Sequence, residues 1–319
     1  MKNILKLLII FAILSPSISF ACDLCGCYIP GDVAIKGFRF GFAEQYSDFN
    51  TLKLDGVTVP NLDQQYMNSF NTQFYANYHF NEKYALQLNI PVLYKSFQRP
   101  EDGQIQDGTN SGLGDVSLIG YYVPYQRKNP YSEFSLKLVG GIKFPTGNSD
   151  AIGEELNENN GVEDAGVGVP SGIHGHDIAL GSGSYDGLVG VSLFSRSTKT
   201  FVTGNVQYAI RTHGAFDYKY ANDLIWFGGP GYYLAAKQNY SLGLQALLSG
   251  ESKGEDELGN EKTDDTAITA VYLGPVALLG VGQGFQMEFG VGFPLYVNNS
   301  GFQSVPTYRF RAGVIWQFQ

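Results

Sequence analysis

The fold is decided by the C-terminal stretch Tyr308-Arg309-Phe310-Arg311-Ala312-Gly313-Val314-Ile315-Trp316-Gln317-Phe318. Its even-numbered positions are aromatic or apolar, and its odd-numbered positions include Arg309, Arg311 and Gln317. A period of two is typical of a β-strand with one apolar and one mostly polar face. Aromatic residues at both ends of the apolar face suit a strand that meets the two headgroup layers of a membrane. We therefore predict a membrane strand whose arginines face a polar interior, although a soluble sandwich strand would have the same period.

The same period recurs along the chain and predicts twelve strands. In the fifth of them, for example, Leu136 and Leu138 alternate with Lys137. The predicted strands span residues 33–45, 67–80, 84–95, 114–123, 133–145, 184–195, 200–212, 223–236, 240–249, 266–279, 284–296 and 308–318.

The connections between the predicted strands alternate in length, which a soluble sandwich has no reason to do. Long connections at about 46–66, 96–113, 146–183, 213–222, 250–265 and 297–306 alternate with short ones near 81–83, 124–132, 196–199, 237–239 and 280–283. Outer-membrane barrels have short periplasmic turns, longer outer loops and an even number of strands. We therefore predict an all-β fold, with one transmembrane antiparallel β-barrel of about twelve strands over residues 33–319.

Residues 1–21 have the features of a cleaved signal peptide. Lys2 and Lys6 form a basic start, the following apolar run is too short to cross a membrane, and Ser19-Phe20-Ala21 is a small-x-small cleavage site. The chain has 40 glycines, 21 tyrosines and 22 phenylalanines, and only 16% of its residues are charged. This composition favours a barrel exported to the outer membrane of a Gram-negative bacterium. With a net charge of -9, we expect no nucleic-acid partner.

All three cysteines lie in residues 22–32, a predicted periplasmic segment ahead of the barrel. The segment contains Cys22-Asp23-Leu24-Cys25-Gly26-Cys27. Clustered thiolates suit Cu(I) or zinc, so copper or zinc is a candidate cofactor at Cys22, Cys25 and Cys27. A disulfide in an oxidising compartment and acylation of Cys22 are the alternatives.

Most charges in the predicted strands fall on the inward face. They are Arg39, Lys95, Lys137, Lys143, Arg211, Arg309 and Arg311, opposed by Asp115 and Glu288. Basic side chains around an open lumen would favour anions. Alternatively, these charges pair with buried acids or loop residues and fill the interior, because twelve strands lie between packed eight-stranded barrels and open porins.

Three further stretches with chemical potential fall in predicted outer loops. Residues 150–164 and 251–265 are acidic, and we predict solvated loops there, with a hard-cation site as the alternative. Between them, His174 and His176 could bind a transition metal together with Asp177. The alternative is that this glycine-rich segment folds into the barrel mouth.

Three glycine-rich motifs occur in order in the middle third of the chain. They are Gly112-Leu113-Gly114-Asp115-Val116-Ser117-Leu118, Lys143-Phe144-Pro145-Thr146-Gly147 and Leu180-Gly181-Ser182-Gly183-Ser184-Tyr185-Asp186. The ordered set resembles an outer-membrane transporter-like family linked to the meta-pathway of phenol degradation. This resemblance implies a barrel related to long-chain fatty-acid transporters, with uptake of small, often hydrophobic compounds. The cysteine segment departs from the commonest members of that family.

The end of the chain carries a second resemblance. Phe318, one residue from the C-terminus, resembles the terminal aromatic of bacterial outer-membrane barrels, although Gln319 follows it. The resemblance implies that the barrel assembly machinery recognises this strand.

The combined interpretation is a channel or transporter-like protein. We predict passive passage of small molecules, either hydrophobic compounds or anions, through a barrel surrounded by outer-membrane lipid. The alternative is a metal-linked binding protein or receptor whose barrel anchors the Cys-x-x-Cys-x-Cys segment. We expect no enzyme, because no helix is predicted to follow a nucleophile elbow and His79 falls on the inward face.

Overall fold

The computed structural model of the chain describes residues 37–101, 104–159, 170–237, 239–282 and 284–318. The predicted signal peptide (1–21), the cysteine segment (22–32) and the first four residues of the predicted first strand (33–36) lie outside the described residues. None of the described helices is long and apolar enough to cross a membrane.

The described elements are mostly strands. In chain order they are β1 (Gly37–Leu54), β2 (Val57–Thr58), β3 (Tyr66–His79), β4 (Tyr84–Glu101), β5 (Gln104–Leu113), β6 (Ser117–Lys128), β7 (Ser132–Lys143), α1 (Asp150–Asn159), α2 (Gly175–Ile178), β8 (Asp186–Ser197), β9 (Thr200–Ile210), a 3-10 turn (Ala215–Asp217), β10 (Tyr218–Lys219), β11 (Asp223–Ala236), β12 (Tyr240–Lys253), β13 (Glu257–Leu258), β14 (Glu261–Lys262), β15 (Ile268–Val281), β16 (Phe285–Asn299) and β17 (Phe302–Phe318).

Twelve antiparallel strands close into one barrel, as predicted. The barrel strands are β1, β3, β4, β6, β7, β8, β9, β11, β12, β15, β16 and β17, and β17 pairs back with β1. Each strand pairs with its sequence neighbour, so short turns gather at one end and long connections at the other. We call these the turn end and the loop end of the barrel. The predicted strand 223–236 coincides with β11.

Several strands run further toward the loop end than the sequence predicts. β1 extends to Leu54 and β4 to Glu101, and β5 pairs with the upper part of β4 where a loop over 96–113 is predicted. β5 has the sequence QIQDGTNSGL, which is polar on both faces. Hydrophobic alternation therefore gives no signal there, and backbone pairing alone reveals the strand.

The prediction that the chain has no helix is wrong, since α1 and α2 both lie in the connection between β7 and β8. Ala151 and Ile152 of α1 are buried, and Leu156 packs beside them one turn later. This spacing places the apolar residues on one helix face. Three apolar residues within an acidic, glycine-rich stretch are too few to predict a helix from the sequence.

Side chains alternate between the outside and the inside of the barrel wall. Leu138 is 43% exposed and Lys137 is 6% exposed, although they are neighbours in β7. Aromatic rings lie at both margins of the outward apolar band, with Phe38 against Tyr78 near the turn end and Tyr46 against Phe70 further up. This outward face also carries Glu44, which accepts a hydrogen bond of 2.5 Å from the Thr72 hydroxyl.

The ladder between β16 and β17 is incomplete toward the loop end. It runs from Phe285↔Trp316 to Gly292↔Arg309. Beyond that point β17 continues along β1 to Leu54↔Phe302, and β16 continues along β15 to Ile268↔Asn299. Pro294 and Pro306 lie in this unpaired part and have no backbone N–H to donate. We call this opening in the described ladder the β16–β17 gap.

Substitution of Leu138 by Arg should prevent stable assembly in lipid vesicles. The side chain points outward, and an arginine near the middle of the membrane costs a barrel about 2–4 kcal/mol. The measurement is heat-modifiable migration in gels together with urea unfolding in vesicles, with Leu138→Ala as the control. Wild-type stability of Leu138→Arg would show that the assigned outward face is incorrect.

Candidate functional site

The connection between β7 and β8 fills the interior near the loop end. We call its described residues, 144–159 and 170–185, the plug. Ile152 and Ile173 of the plug are almost completely buried, at 0% and 1% exposure. They share an apolar cluster with Met67 and Phe97 from the barrel wall and Tyr218 from the next connection. The plug therefore has its own hydrophobic core inside the barrel mouth.

The wall also holds the plug by hydrogen bonds to its backbone. Lys95 Nζ donates to the carbonyl oxygens of Asp177 and Ala179, the latter at 2.5 Å. Asn110 Nδ2 donates to Ile178 O at 2.9 Å, and Tyr220 Oη donates to His176 O at 2.9 Å. Donors from β4, from β5 and from the connection between β10 and β11 therefore satisfy carbonyl groups that would otherwise be buried without partners.

Further contacts attach the start of the second part of the plug, residues 170–185, to the barrel. Gln65 Nε2 donates to Pro170 O at 3.1 Å, and Gly172 N donates to Gln65 Oε1 at 2.8 Å. The backbone N–H of Ser304, in the unpaired part of β17, donates to Gly172 O at 2.6 Å. The plug thus supplies a backbone partner at the β16–β17 gap.

A charge network fixes the base of the plug. Lys143 Nζ lies 2.7 Å from Asp115 Oδ2 and 2.7 Å from Asp186 Oδ2. Arg211 Nη1 lies 2.9 Å from the same Asp186 oxygen. Ser182 N donates to Asp115 Oδ2 at 3.0 Å. Two carboxylates therefore face two cations, so that the buried charges balance.

The three motifs that carry the family resemblance meet at this network. Gly147 N donates to Asp115 Oδ1 at 2.9 Å, and Thr146 Oγ1 donates to Gly114 O at 2.8 Å. A Cβ on Gly147 would lie 2.5 Å from Leu180 O. Only glycine allows so close an approach, which explains this residue in the second motif.

A small cap covers the plug at the loop end. It consists of the three-stranded sheet of β10, β13 and β14. Asp256, at 0% exposure, accepts hydrogen bonds from Tyr218 Oη at 2.7 Å and Ala221 N at 2.7 Å, and its Oδ2 lies 2.9 Å from Lys253 Nζ. The prediction that acidic residues 251–265 form a solvated loop is therefore wrong at Asp256, which anchors the cap.

Two histidines and two acidic residues form a cluster on the plug. His176 Nδ1 lies 3.2 Å from Glu155 Oε2, and His176 Nε2 lies 3.6 Å from Asp177 Oδ1. The imidazole rings of His174 and His176 are nearly parallel, with centroids 5.3 Å apart and an angle of 12° between planes. Glu155 comes from α1, so the cluster joins the two halves of the plug.

The electrostatics of the cluster set different protonation states for its histidines. Burial opposes protonation of His176, but the charges of Asp177 and Glu155 and a hydrogen bond to Glu155 outweigh it and raise the pKa of His176 to about 9. Burial and the charge of His176 lower the pKa of His174. At pH 7 a protonated His176 therefore lies between two carboxylates, beside a neutral His174.

The remaining interior contains a cavity of about 340 Å³ near the turn end. Phe194, Phe201 and Phe227 line it, together with aliphatic side chains. Two ion pairs border it, with Arg196 Nη2 lying 3.4 Å from Glu133 Oε2 and Arg311 Nε lying 3.1 Å from Glu288 Oε1. Polar and apolar groups therefore line the cavity in about equal measure.

A smaller cavity of about 80 Å³ lies at the lower edge of the β16–β17 gap. It is lined by Gly292, Arg309 and Tyr272, among others. The Arg309 guanidinium lies 4.1 Å from the centroid of the Tyr272 ring, and its Nη2 lies 2.6 Å from Glu251 Oε1. Arg309 is thus held by a cation–π contact and a carboxylate.

The eight residues predicted to line the lumen are buried or partly buried in the barrel. They are Arg39, Lys95, Lys137, Lys143, Arg211, Glu288, Arg309 and Arg311. Arg39 Nε donates to Gln317 Oε1 at 3.1 Å, while Lys143, Arg211, Arg309 and Arg311 each face a carboxylate. This geometry favours paired charges over a bare basic ring. Anion preference stays a prediction.

Sequence patterns identified two of the acidic partners, Asp115 and Glu288, but not Asp186, Glu251 or Glu155. Glu251 belongs to an acidic stretch in the sequence, but it also continues the inward alternation of Gln245 and Ser249 in β12, which could have revealed it. Glu155 gives no such signal, because only the docking of α1 brings it to the histidines. The predicted ligands Cys22, Cys25 and Cys27 lie outside the described residues.

Comparison with solved structures shows similar barrels. The crystal structure of an outer membrane channel from Pseudomonas putida F1 has a TM-score of 0.65 and 16% identity, covering 91% of this chain and 100% of that chain. The beta domain of the Bordetella autotransporter Brka has a TM-score of 0.45 and 12% identity, covering 88% and 99%. The CymD monoaromatic hydrocarbon channel has a TM-score of 0.38 and 11% identity, covering 89% of each chain.

The first of these similarities shows the fold. No protein-family model matches the sequence, and no curated protein matches it.

We expect His176 to titrate with a midpoint near pH 9, well above an ordinary histidine. Because this folded-state pKa exceeds the unfolded value, its stabilisation is complete below about pH 6.5 and is lost as the pH rises through about 9. The measurement is NMR titration of protein with selectively labelled histidine, with His176→Asn to assign the resonance. Glu155→Gln should lower the midpoint. A midpoint at or below 6.5 in the wild type would contradict the proposed ion pairs.

Proposed function

We propose that this chain is an outer-membrane channel for small molecules, with the plug closing its loop end. The observation that carries the proposal is the cavity of about 340 Å³ inside a closed barrel. Small-molecule sites are typically concave, mainly apolar and supplied with a few placed polar groups. This cavity is concave and has aromatic side chains, but it is more polar than such sites usually are, so it suits a small molecule with polar as well as apolar parts.

The outward face of the barrel supports location in the outer membrane. Barrels of that membrane carry an apolar outward band between two aromatic girdles, and this barrel has exposed Phe40, Phe74 and Leu138 between such rings. The solved structure with the TM-score of 0.65 is described as an outer membrane channel. Lipid around the barrel and a small-molecule substrate inside are the partners in this proposal.

The polar groups of the cavity indicate what a ligand would need. Arg196 and Arg311 offer N–H donors, while Glu133 and Glu288 offer acceptors. All four groups already have partners, so a ligand gains from them only by exchanging hydrogen bonds. A compact molecule with an apolar part and polar substituents therefore suits this cavity better than a highly charged one.

The plug supports a channel that is closed at the loop end in this conformation. Its apolar core, its hydrogen bonds to Lys95 and its charged base hold it inside the mouth. Passage from the loop end to the cavity requires the plug to shift. The hydrogen bonds from Lys95 can break while the ion pairs of the Lys143 network stay intact, because the two sets of contacts bind different parts of the plug.

The finer assignment within this proposal is the transporter-like family linked to the meta-pathway of phenol degradation. Its support is the convergence of the three motifs, since Asp115 and Asp186 come from two of them and both pair with Lys143 of the third. The resemblance implies small hydrophobic compounds as the substrate class, and the aromatic side chains of the cavity are compatible with them.

Two sequence-based expectations remain proposals, and the first concerns residues outside the described part of the chain. Copper or zinc binding at Cys22, Cys25 and Cys27 would make the protein metal-linked. Metal titration of anaerobically purified protein against a variant with three serines tests it. Recognition of the last strand by the assembly machinery likewise remains a prediction.

Substitution of Lys95 by Met should favour opening of the plug. It leaves two plug carbonyls without their ammonium donor, and a buried unpaired polar group costs about 1–3 kcal/mol. The equilibrium between closed and open plug should shift by about 5- to 150-fold, which planar-bilayer recordings would show as longer open times. Lys128→Met, at the exposed turn end, is the matched control. Equal open times in both variants would contradict a gating role of these contacts.

Substitution of Arg309 and Arg311 together by Glu should reduce or reverse any preference for anions. Each arginine now faces a carboxylate, so the double change leaves four acidic groups beside the two cavities. The measurement is the reversal potential in a salt gradient, with the exposed Arg127→Glu at the turn end as the control. An unchanged reversal potential would show that ions do not pass these side chains.

A further inference from the structure

One side-chain cluster on the plug has the composition of a metal site. Glu155, His174 and His176 each offer a ligand atom, and these atoms all lie within 4.8 Å of one another. Glu155 belongs to α1, whereas the two histidines lie at the start of α2. The three side chains therefore converge from segments that are about twenty residues apart in sequence.

The cluster is built into the plug rather than lying loosely on its surface. The His176 side chain is 7% exposed, and its backbone N–H donates to Glu155 Oε2 at 2.9 Å. Tyr218 stacks on the other side of the His176 ring, with centroids 5.9 Å apart. Packing and hydrogen bonds thus hold the ligand side chains in position before any ion arrives.

His174 has a buried ring nitrogen that the ion pairs of the cluster leave without a hydrogen-bond partner. Its Nδ1 is buried and has no hydrogen-bond partner among the described residues, and the nearest carboxylate oxygen, Asp177 Oδ2, is 3.8 Å away. A buried imidazole nitrogen without a partner is costly. A metal ion would give this nitrogen a partner, and its binding would displace the proton that His176 otherwise holds between Glu155 and Asp177.

We propose that Glu155, His174 and His176 bind a divalent transition-metal ion of the zinc class. Two imidazole nitrogens and one carboxylate oxygen are a donor set that suits zinc and leaves a further position for water. Tetrahedral zinc with bonds of about 2.0–2.1 Å needs ligand atoms about 3.4 Å apart. The ligand atoms lie within 4.8 Å of one another, so the widest separation has to shorten by at most about 1.4 Å, a side-chain movement.

The ion would join the two halves of the plug. Glu155 belongs to α1, and the histidines belong to the segment whose backbone carbonyls accept hydrogen bonds from Lys95 and Tyr220. Binding would therefore stabilise the closed plug by mass action. This role is separate from the channel proposal, because a metal could hold the plug whether or not solutes pass the barrel.

Asp177 contacts both histidines but is not one of the three proposed ligands. Its Oδ2 accepts a hydrogen bond from His174 N at 2.9 Å, and its Oδ1 lies 3.6 Å from His176 Nε2. It can orient the imidazole that binds the ion, as carboxylates beside metal-bound histidines do. We assign it as a positioning residue.

The test is zinc titration of the full chain by calorimetry in detergent, in a background with Cys22, Cys25 and Cys27 changed to Ser. This background removes the thiols that could bind zinc elsewhere. We expect one zinc ion per chain with micromolar or tighter affinity. His174→Gln should weaken binding at least 10-fold, while His213→Gln should not, because His213 lies outside the cluster beside Asp217.

Glu155→Gln is a second variant in case His174→Gln alters folding, which heat-modifiable migration would reveal. Cobalt(II) added to the same background should give visible absorption of a tetrahedral complex, and His174→Gln should abolish it. Zinc should also slow hydrogen exchange in residues 150–156 and 172–178. Equal zinc affinity in the His174, Glu155 and His213 variants, or no zinc uptake by the parent at 100-fold molar excess, would overturn the proposal.

Discussion

Backbone hydrogen bonds between β1 and β17 join the two ends of the sheet, from Phe38↔Phe318 to Leu54↔Phe302. An open edge would leave N–H and C=O groups unpaired, which a membrane cannot satisfy. Closure also forces every second side chain inward, into a space too wide for the wall residues alone to fill at the loop end. The plug occupies that space, so the cavity, the charge network and the histidine cluster all depend on a closed ladder.

Within the barrel, the Asp115–Lys143–Asp186–Arg211 network determines where the plug begins and ends. Lys143 is the last residue of β7 and Asp186 the first of β8, so the network holds both ends of the connection together. Removing one member would leave an uncompensated buried charge, which typically costs several kcal/mol. The contacts nearer the loop end are hydrogen bonds and apolar packing. Movement of the plug is therefore easier there than at its base.

The sequence was sufficient for the barrel but not for the plug. Alternation such as Leu136, Lys137 and Leu138 directly encodes one outward and one inward face, so strand number and closure were predictable. β5 was missed because pairing outside the apolar band needs no hydrophobic alternation. His174 and His176 were recognised as a pair, but Glu155 reaches them only through the packing of α1, which no local pattern describes. For the same reason the inward charges were predictable, together with the partners Asp115 and Glu288, while the partners Asp186 and Glu251 were not.

The β16–β17 gap has a consequence for how deeply the barrel can be immersed. Unpaired backbone groups cannot lie in hydrocarbon, and the ladder ends at Arg309, which pairs across the closure with Ser47. The segment from Phe38 to Tyr46 lies just below that point and has nine residues, enough for a tilted strand to cross a bilayer of about 30 Å. The remaining part of β1, from Ser47 to Leu54, therefore stands in the aqueous layer outside. A molecule leaving sideways through the gap would enter water and headgroups, not the acyl chains.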